Sequence, residues 1–208
     1  VDEIKNKVLK TYNQKIQTLF ICIGISILSG VTLLTTLLTM AIVPVKSNIL
    51  LKVTLPTVIA LVIIPVILAK LINKPDKVFL KWNEKELVIS CIAICIFSGL
   101  YYVFNGTKFG EVTILFLLAH YFIAAFSEEF LYRHIILNEL LQSWNVFFSA
   151  LLCGLIFSLL GHIGDSPLDN LLYRFPLGVF FSIFRLKTNS VLYTSVIHAF
   201  YNLLLIIG

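Results

Sequence analysis

The stretch Ile114-Leu115-Phe116-Leu117-Leu118-Ala119-His120-Tyr121-Phe122-Ile123-Ala124-Ala125-Phe126-Ser127-Glu128-Glu129-Phe130-Leu131-Tyr132-Arg133 decides how this chain is read. It has the apolar density of a helix buried in lipid, yet two adjacent carboxylates and an arginine stand inside it. Each such charge costs about 3 kcal/mol to place at the centre of a membrane helix, even on mild insertion scales, so a chain rarely carries them there without use. Single histidines follow in two later apolar segments, His162 and His198, and Asn202 lies one helical turn beyond the second. Titratable groups on three separate membrane helices can converge on one site.

The rest of the chain has the same character. Of 208 residues, 59% are hydrophobic and only 13% charged, and the mean hydropathy is +0.96. Soluble domains are nearer half apolar and a quarter charged, so the composition is that of an all-α polytopic integral membrane protein. The apolar runs are too many and too long for one signal peptide, and no cleavage site of small residues stands out. A spanning helix needs about 20 apolar residues. Candidate spans lie at 17–43, 51–72, 87–104, 112–141, 144–163, 169–185 and 189–207, about seven in all. The count ranges from six to eight, because Pro56 and Pro65 are positioned to kink or break the second. Turn chemistry separates the spans at 44–48, 73–76, Asn105-Gly106, Gly164-Asp165-Ser166-Pro167 and 187–190.

The net charge of +5 is not a nucleic-acid signal once its distribution is followed. Lys5, Lys7, Lys10 and Lys15 precede the first span, and Lys70, Lys74, Lys77, Lys81 and Lys85 surround the linker after the second. Arg185 and Lys187 lie between the last two. This alternation follows the positive-inside rule and predicts a cytoplasmic amino terminus and membrane lipids as partners, with no nucleic acid. Cys22, Cys91, Cys95 and Cys153 all fall in apolar segments without zinc-type clustering and read as packing residues. Thr32, Thr35, Thr36 and Thr39 stripe the first span and are expected to bond back to their own helix or to a neighbour.

The fourth span carries the chemistry. Residues four apart share a helix face, so Glu129 and Arg133 form an intrahelical ion pair in the favourable glutamate-first order. Glu128 shares its face with Ala124 and Tyr132 and is the freer carboxylate. The fourth and fifth spans form a hairpin turning near Ser143-Trp144-Asn145. Glu128 lies about 15 residues before that turn and His162 about 17 after it, which at about 1.5 Å per residue puts both at one depth. Gly154, Ser158 and His162 line one face of the fifth helix, where small residues permit close approach. A histidine at the membrane boundary, beside Gly164-Asp165, is the bland reading of His162; the depth match to Glu128 weighs against it. Thr194, His198 and Asn202 form a polar stripe on the seventh helix. A lone Thr or Asn there is ordinary interhelical glue, but with two ionisable helices nearby the stripe resembles a bracket for an oxygen atom. Arg174, near a helix end, reads as a headgroup-snorkelling side chain.

Taken in order, Ser127-Glu128-Glu129-Phe130-Leu131-Tyr132-Arg133, His162 at the end of a Phe/Ser-rich helix, and His198-Ala199-Phe200-Tyr201-Asn202 resemble the CPBP family of intramembrane proteases. That family comprises the CAAX proteases and the bacteriocin-processing (Abi) enzymes, with the pattern EExxxR, FxxxH and HxxxN. The resemblance covers about residues 112–205 and rests on three motifs, each in its own apolar segment. The chain departs from the pattern twice. Ser158 stands where the family has phenylalanine four residues before the histidine, with Phe157 one place earlier, and His134 follows the arginine in place of the frequent glycine.

The resemblance implies a CAAX-protease-like bundle over 1–208, with amino-terminal membrane spans over 1–110 and a catalytic core over 111–208. It implies endoproteolysis of a membrane-associated protein or peptide in a bacterial cell membrane. Glu128 would be the general base, acting with His162 on a water; His198 and Asn202 would stabilise the oxyanion; Glu129 and Arg133 would support the fourth helix. No cofactor is favoured. A His₂Glu zinc site from Glu128, His162 and His198 is the alternative, disfavoured by the nearby arginine and by Asn202, which suits an oxyanion better. A non-catalytic scaffold or bacteriocin-immunity factor is the rival from another class. A proton-coupled transporter ranks third, because no inverted repeat is legible. Oligomeric state and natural substrate are not legible.

Overall fold

The structure, a computed structural model, describes residues 2–43, 48–72, 80, 83–109 and 111–206. Seven helices contain nearly all of them, with no strand among the described residues. Helix α1 is Asp2–Ile42. Helix α2 occupies 50–71 as alternating π and α turns, Leu50–Thr54, Leu55–Val58, Ile59–Ile63 and Ile64–Leu71. Helix α3 is Glu84–Phe109. Helix α4 runs as an α-helix over Glu111–Glu129, as a π-helix over Phe130–Ile136 and again as an α-helix over Leu137–Leu140. Helix α5 is Val146–Leu160, α6 comprises Pro167–Asp169, Asn170–Arg174 and Phe175–Thr188, and α7 is Val191–Leu205.

Four stretches are long and apolar enough to cross a membrane, Leu9–Ile42, Leu50–Leu71, Glu84–Phe104 and Thr113–Leu140. Helices α5 and α7 are apolar but have only 15 residues each. At about 1.5 Å per residue that is roughly 22 Å, short of a full bilayer core. The expected spans 144–163 and 189–207 are therefore shortened, the fifth because the chain leaves the helix at Gly161 and turns through His162. The helix-free linker expected at Asn105-Gly106 is absent, since α3 continues to Phe109. The turn expected at 44–48, but for its last residue, and the turn expected at 73–76 lie outside the described residues.

Pro56 and Pro65 do not break the second span. Each stands two residues beyond a π turn, and Pro176 in α6 repeats the arrangement after Asn170–Arg174. A widened i→i+5 turn just ahead of the ring relieves its clash with the carbonyl four residues back. The remaining π segment among the described residues, Phe130–Ile136, has no proline to account for it, and all seven of its side chains are buried. Its carbonyls take extra donors, with the Cys153 thiol 3.2 Å from the Tyr132 oxygen and the Cys22 thiol 3.8 Å from that of Ile136. Two of the four cysteines thus act as polar packing residues, whereas Cys91 and Cys95 are exposed on α3.

Helix α4 is the inner helix: 50% of its most apolar window is buried, against 11% for α3. Its second half forms the main apolar core with α1, α2 and α5, including Phe130, Leu131, Ile136, Leu137 and Leu140. Its first half packs on α7, joined by a smaller cluster of Tyr101, Ile114, Leu118 and Leu203. The threonines of α1 bond to carbonyls of their own helix, as expected. Asn145 caps α5 through the Phe148 N–H at 2.9 Å, and Ser190 caps α7 through that of Tyr193 at 3.0 Å. The Ser190 hydroxyl also bonds the Glu86 carboxylate, tying the start of α7 to α3.

Helices α5 and α6 cross at a pair of glycines. A Cβ at Gly154 would lie 2.9 Å from the Val179 backbone nitrogen, and one at Gly178 would lie 3.0 Å from the Gly154 Cα. Backbone cannot yield as a flexible side chain can. Gly154→Ala is accordingly expected to destabilise the protein by about 1–3 kcal/mol, the usual cost of overpacking. Thermal unfolding of the purified protein in detergent would register this as a lowered midpoint; an unchanged midpoint would mean that the crossing relaxes freely.

Candidate active site

Glu128 and Glu129 are the last two residues of α4 before its π segment, and they face different surroundings. Glu129 is fully buried. Its Oε1 lies 3.2 Å from Nη1 of the equally buried Arg133 and 2.8 Å from Nδ1 of His198 on α7. Arg133 donates from Nη2 to the Gly178 carbonyl at 3.1 Å, at the glycine crossing. Its guanidinium also lies 4.4 Å from the centroid of the Phe157 ring, an attractive cation–aromatic contact. The expected Glu129–Arg133 pair is present. Added to it is a link to α7 that residue spacing within α4 does not reveal.

A carboxylate oxygen paired with an arginine accepts hydrogen bonds. Nδ1 of His198 therefore carries the proton shared with Glu129, and Nε2 is the ring nitrogen turned to Glu128, 3.8 Å from its Oε2. The imidazole is sandwiched by aromatic rings, stacked on Phe181 with centroids 4.8 Å apart and edge-on to Phe157 at 6.1 Å. Phe157 also meets His162 edge-on at 5.0 Å. The aromatic residue displaced by one position from the family spacing thus packs between both histidines and beneath Arg133.

Glu128 is 23% exposed, onto a cavity of about 450 Å³ whose wall includes His162, His198, Asn202, Arg174 and Tyr201. A smaller cavity of about 50 Å³ lies between Glu128, Tyr132, Gly161 and His162. The four residues read as catalytic, Glu128, His162, His198 and Asn202, thus line one cavity, while the supporting pair, Glu129 and Arg133, lies buried behind it. The polar stripe of α7 divides: Thr194 is buried and donates to the Ser190 carbonyl at 3.0 Å, away from the cavity. Arg174 differs from its sequence reading as a headgroup-snorkelling residue. It lies in the cavity wall with Nη2 3.0 Å from Oδ2 of Asp165. Among the described residues no group of three His, Cys, Asp or Glu side chains is arranged to hold a metal ion.

A helical membrane bundle with carboxylates and histidines from separate helices around one partly open cavity defines a class of intramembrane hydrolase-like sites. Residues 110–204 match the family model described as Rce1-like, type II CAAX prenyl endopeptidase Rce1-like. All three motifs fall inside that stretch, and the resemblance to the CAAX proteases holds across it; at the level of the family, the match is to CAAX-type intramembrane endopeptidases. No curated protein and no solved structure matches the chain.

Proposed function

We propose that this protein is an intramembrane endopeptidase that hydrolyses peptide bonds of membrane-associated proteins or peptides with a water activated by Glu128 and His162. The observation that carries the reading is the cavity of about 450 Å³ shared by Glu128, His162, His198 and Asn202, with Nε2 of His198 3.8 Å from the Glu128 carboxylate. Glu128 takes a proton from the water as its oxygen bonds to the scissile carbonyl carbon. The carbonyl oxygen gains the negative charge and is met by Asn202 and His198. Glu128 then returns the proton to the leaving nitrogen as the C–N bond breaks. Open lipid could not supply the water, and the polar cavity is suited to hold it.

Glu129 and Arg133 serve this chemistry by fixing His198 rather than by touching substrate. The reading is metal-free. The alternative zinc site would draw on Glu128, His162 and His198, which are not arranged as a metal-holding group in this structure. CAAX-type substrates, supported by the family, and a cytoplasmic amino terminus, supported by the charge distribution, belong to the same proposal, with bacteriocin-precursor or signal-peptide substrates and a bacterial cell membrane proposed on the motif resemblance alone.

Cleavage of a panel of membrane-associated peptides by the purified protein tests this, comparing wild type with Glu128→Ala and His162→Ala, each with and without a chelator. The expected result is cleavage lost in both variants and indifferent to the chelator. Loss on chelation with recovery on adding zinc would overturn the metal-free mechanism. Failure of folded wild type to cleave any peptide would favour a scaffold or immunity factor.

A further inference from the structure

His162 lies past the end of α5, in a turn, where a side chain has no helix to hold it. Five contacts close a ring around it. Its backbone carbonyl accepts from the Asp165 N–H at 3.1 Å and from Nδ2 of the buried Asn170 at 2.8 Å. Asn170 accepts through Oδ1 from Nη1 of Arg174 at 3.0 Å. Arg174 in turn places Nη2 3.0 Å from Oδ2 of Asp165, and that same oxygen stands 3.6 Å from Nδ1 of His162. The arrangement repeats the one around the other histidine. His198 has a carboxylate at Nδ1 backed by an arginine, Glu129 with Arg133, and His162 has Asp165 with Arg174.

We infer that Asp165, held by Arg174, is a positioning residue for His162, selecting the tautomer with the proton on Nδ1. This inference rests on the endopeptidase reading for its catalytic consequence but not for its structural content. Oδ2 of Asp165 is the acceptor paired with the Arg174 guanidinium, so the His162 nitrogen facing that oxygen is the one that carries hydrogen. Nε2 is then left with its lone pair, as the acceptor in the cavity that His162 shares with Glu128. A separation of 3.6 Å is longer than a hydrogen bond, and such contacts commonly tighten once substrate and water are bound. Two acceptors, the Glu128 carboxylate and Nε2 of His162, would thus hold the two hydrogens of one water and aim its oxygen lone pair. Carboxylate partners fix imidazole orientation in this way at other hydrolytic centres.

The test is Asp165→Ala, which removes the acceptor at a side chain that is 46% exposed and so able to change without unfolding the protein. Nitrogen NMR of histidine-labelled protein in detergent micelles, with His162 assigned through His162→Gln, reports which ring nitrogen is protonated when the imidazole is neutral. Wild type should show His162 protonated at Nδ1, and Asp165→Ala should move the proton toward Nε2, with the His198 signals unchanged as a control for the fold. In the peptide assay, kcat should fall by about tenfold or more with KM little altered. Identical His162 nitrogen shifts in wild type and Asp165→Ala would overturn the inference, as would an unchanged kcat. A wild type that cleaves nothing would sink the endopeptidase reading alone, because the tautomer measurement still decides the role of Asp165.

Discussion

Replacing Glu128 with glutamine is expected to lower peptide cleavage by about 10²–10⁴-fold, the usual contribution of a general base, with the fold intact. The two side chains have nearly the same volume. The carboxylate is partly open to the cavity, its contact with Nε2 of His198 is a long one at 3.8 Å, and the buried Glu129–Arg133 pair is untouched by the change. The amide keeps an oxygen to accept a hydrogen bond but has no useful basicity, so water is held and not activated. KM should change little, because the cavity that receives substrate keeps its shape. Unfolding midpoint and kcat measured on one preparation separate the two properties. A variant that cleaves at the wild-type rate would remove Glu128 from the role of base and direct attention to His162.

Glu129→Ala should have the opposite signature, a large loss of stability. Both Glu129 and Arg133 are fully buried, and removing the carboxylate leaves a guanidinium with its charge uncompensated in the centre of the protein. Breaking a buried pair from one side costs about 3–5 kcal/mol, whereas replacing both members with apolar residues of similar volume is often neutral. The single variant is expected to lose most of its folded yield in detergent. The double variant Glu129→Leu/Arg133→Met should recover much of it while remaining inactive, since Nδ1 of His198 has lost its partner. Full thermal stability in the single variant would contradict the buried-pair account; activity in the double variant would contradict the orienting role of Glu129.

Much of the architecture was legible because hydropathy and helical spacing are local properties. The Glu129–Arg133 pair follows from four-residue spacing, and the shared cavity of Glu128 and His162 from depth-counting across one hairpin. Such counting describes faces of a single helix and cannot say which helix covers them. The bond from His198 to Glu129 joins residues 69 apart in sequence and depends on how α7 packs on α4. The partnership of Arg174 with Asp165 was hidden for a similar reason: a cation near a helix end has the same local signature whether it reaches lipid headgroups or a carboxylate across a turn. The place of Phe157 was obscured by a one-residue offset, because its alignment with His162 depends on where α5 ends. The short lengths of α5 and α7 were hidden too, since apolar residues continue past the last helical turn.

The π segment in α4 has a consequence for how the protein can change over generations. An α-helix turns about 100° with every residue, so a residue added to one end normally swings everything beyond it to a new direction. A widened turn takes up one extra residue locally, and Leu137 and Leu140 beyond it still reach full burial in the core. The segment therefore works as a phase adjuster between two halves of one rod. The carboxylate end is aimed at the cavity and the leucine end is aimed at its neighbours, and the two directions are set independently. Deleting one residue between Phe130 and Ile136 would restore a regular helix and force the halves to share a single phase, so that one of them must turn away from its target.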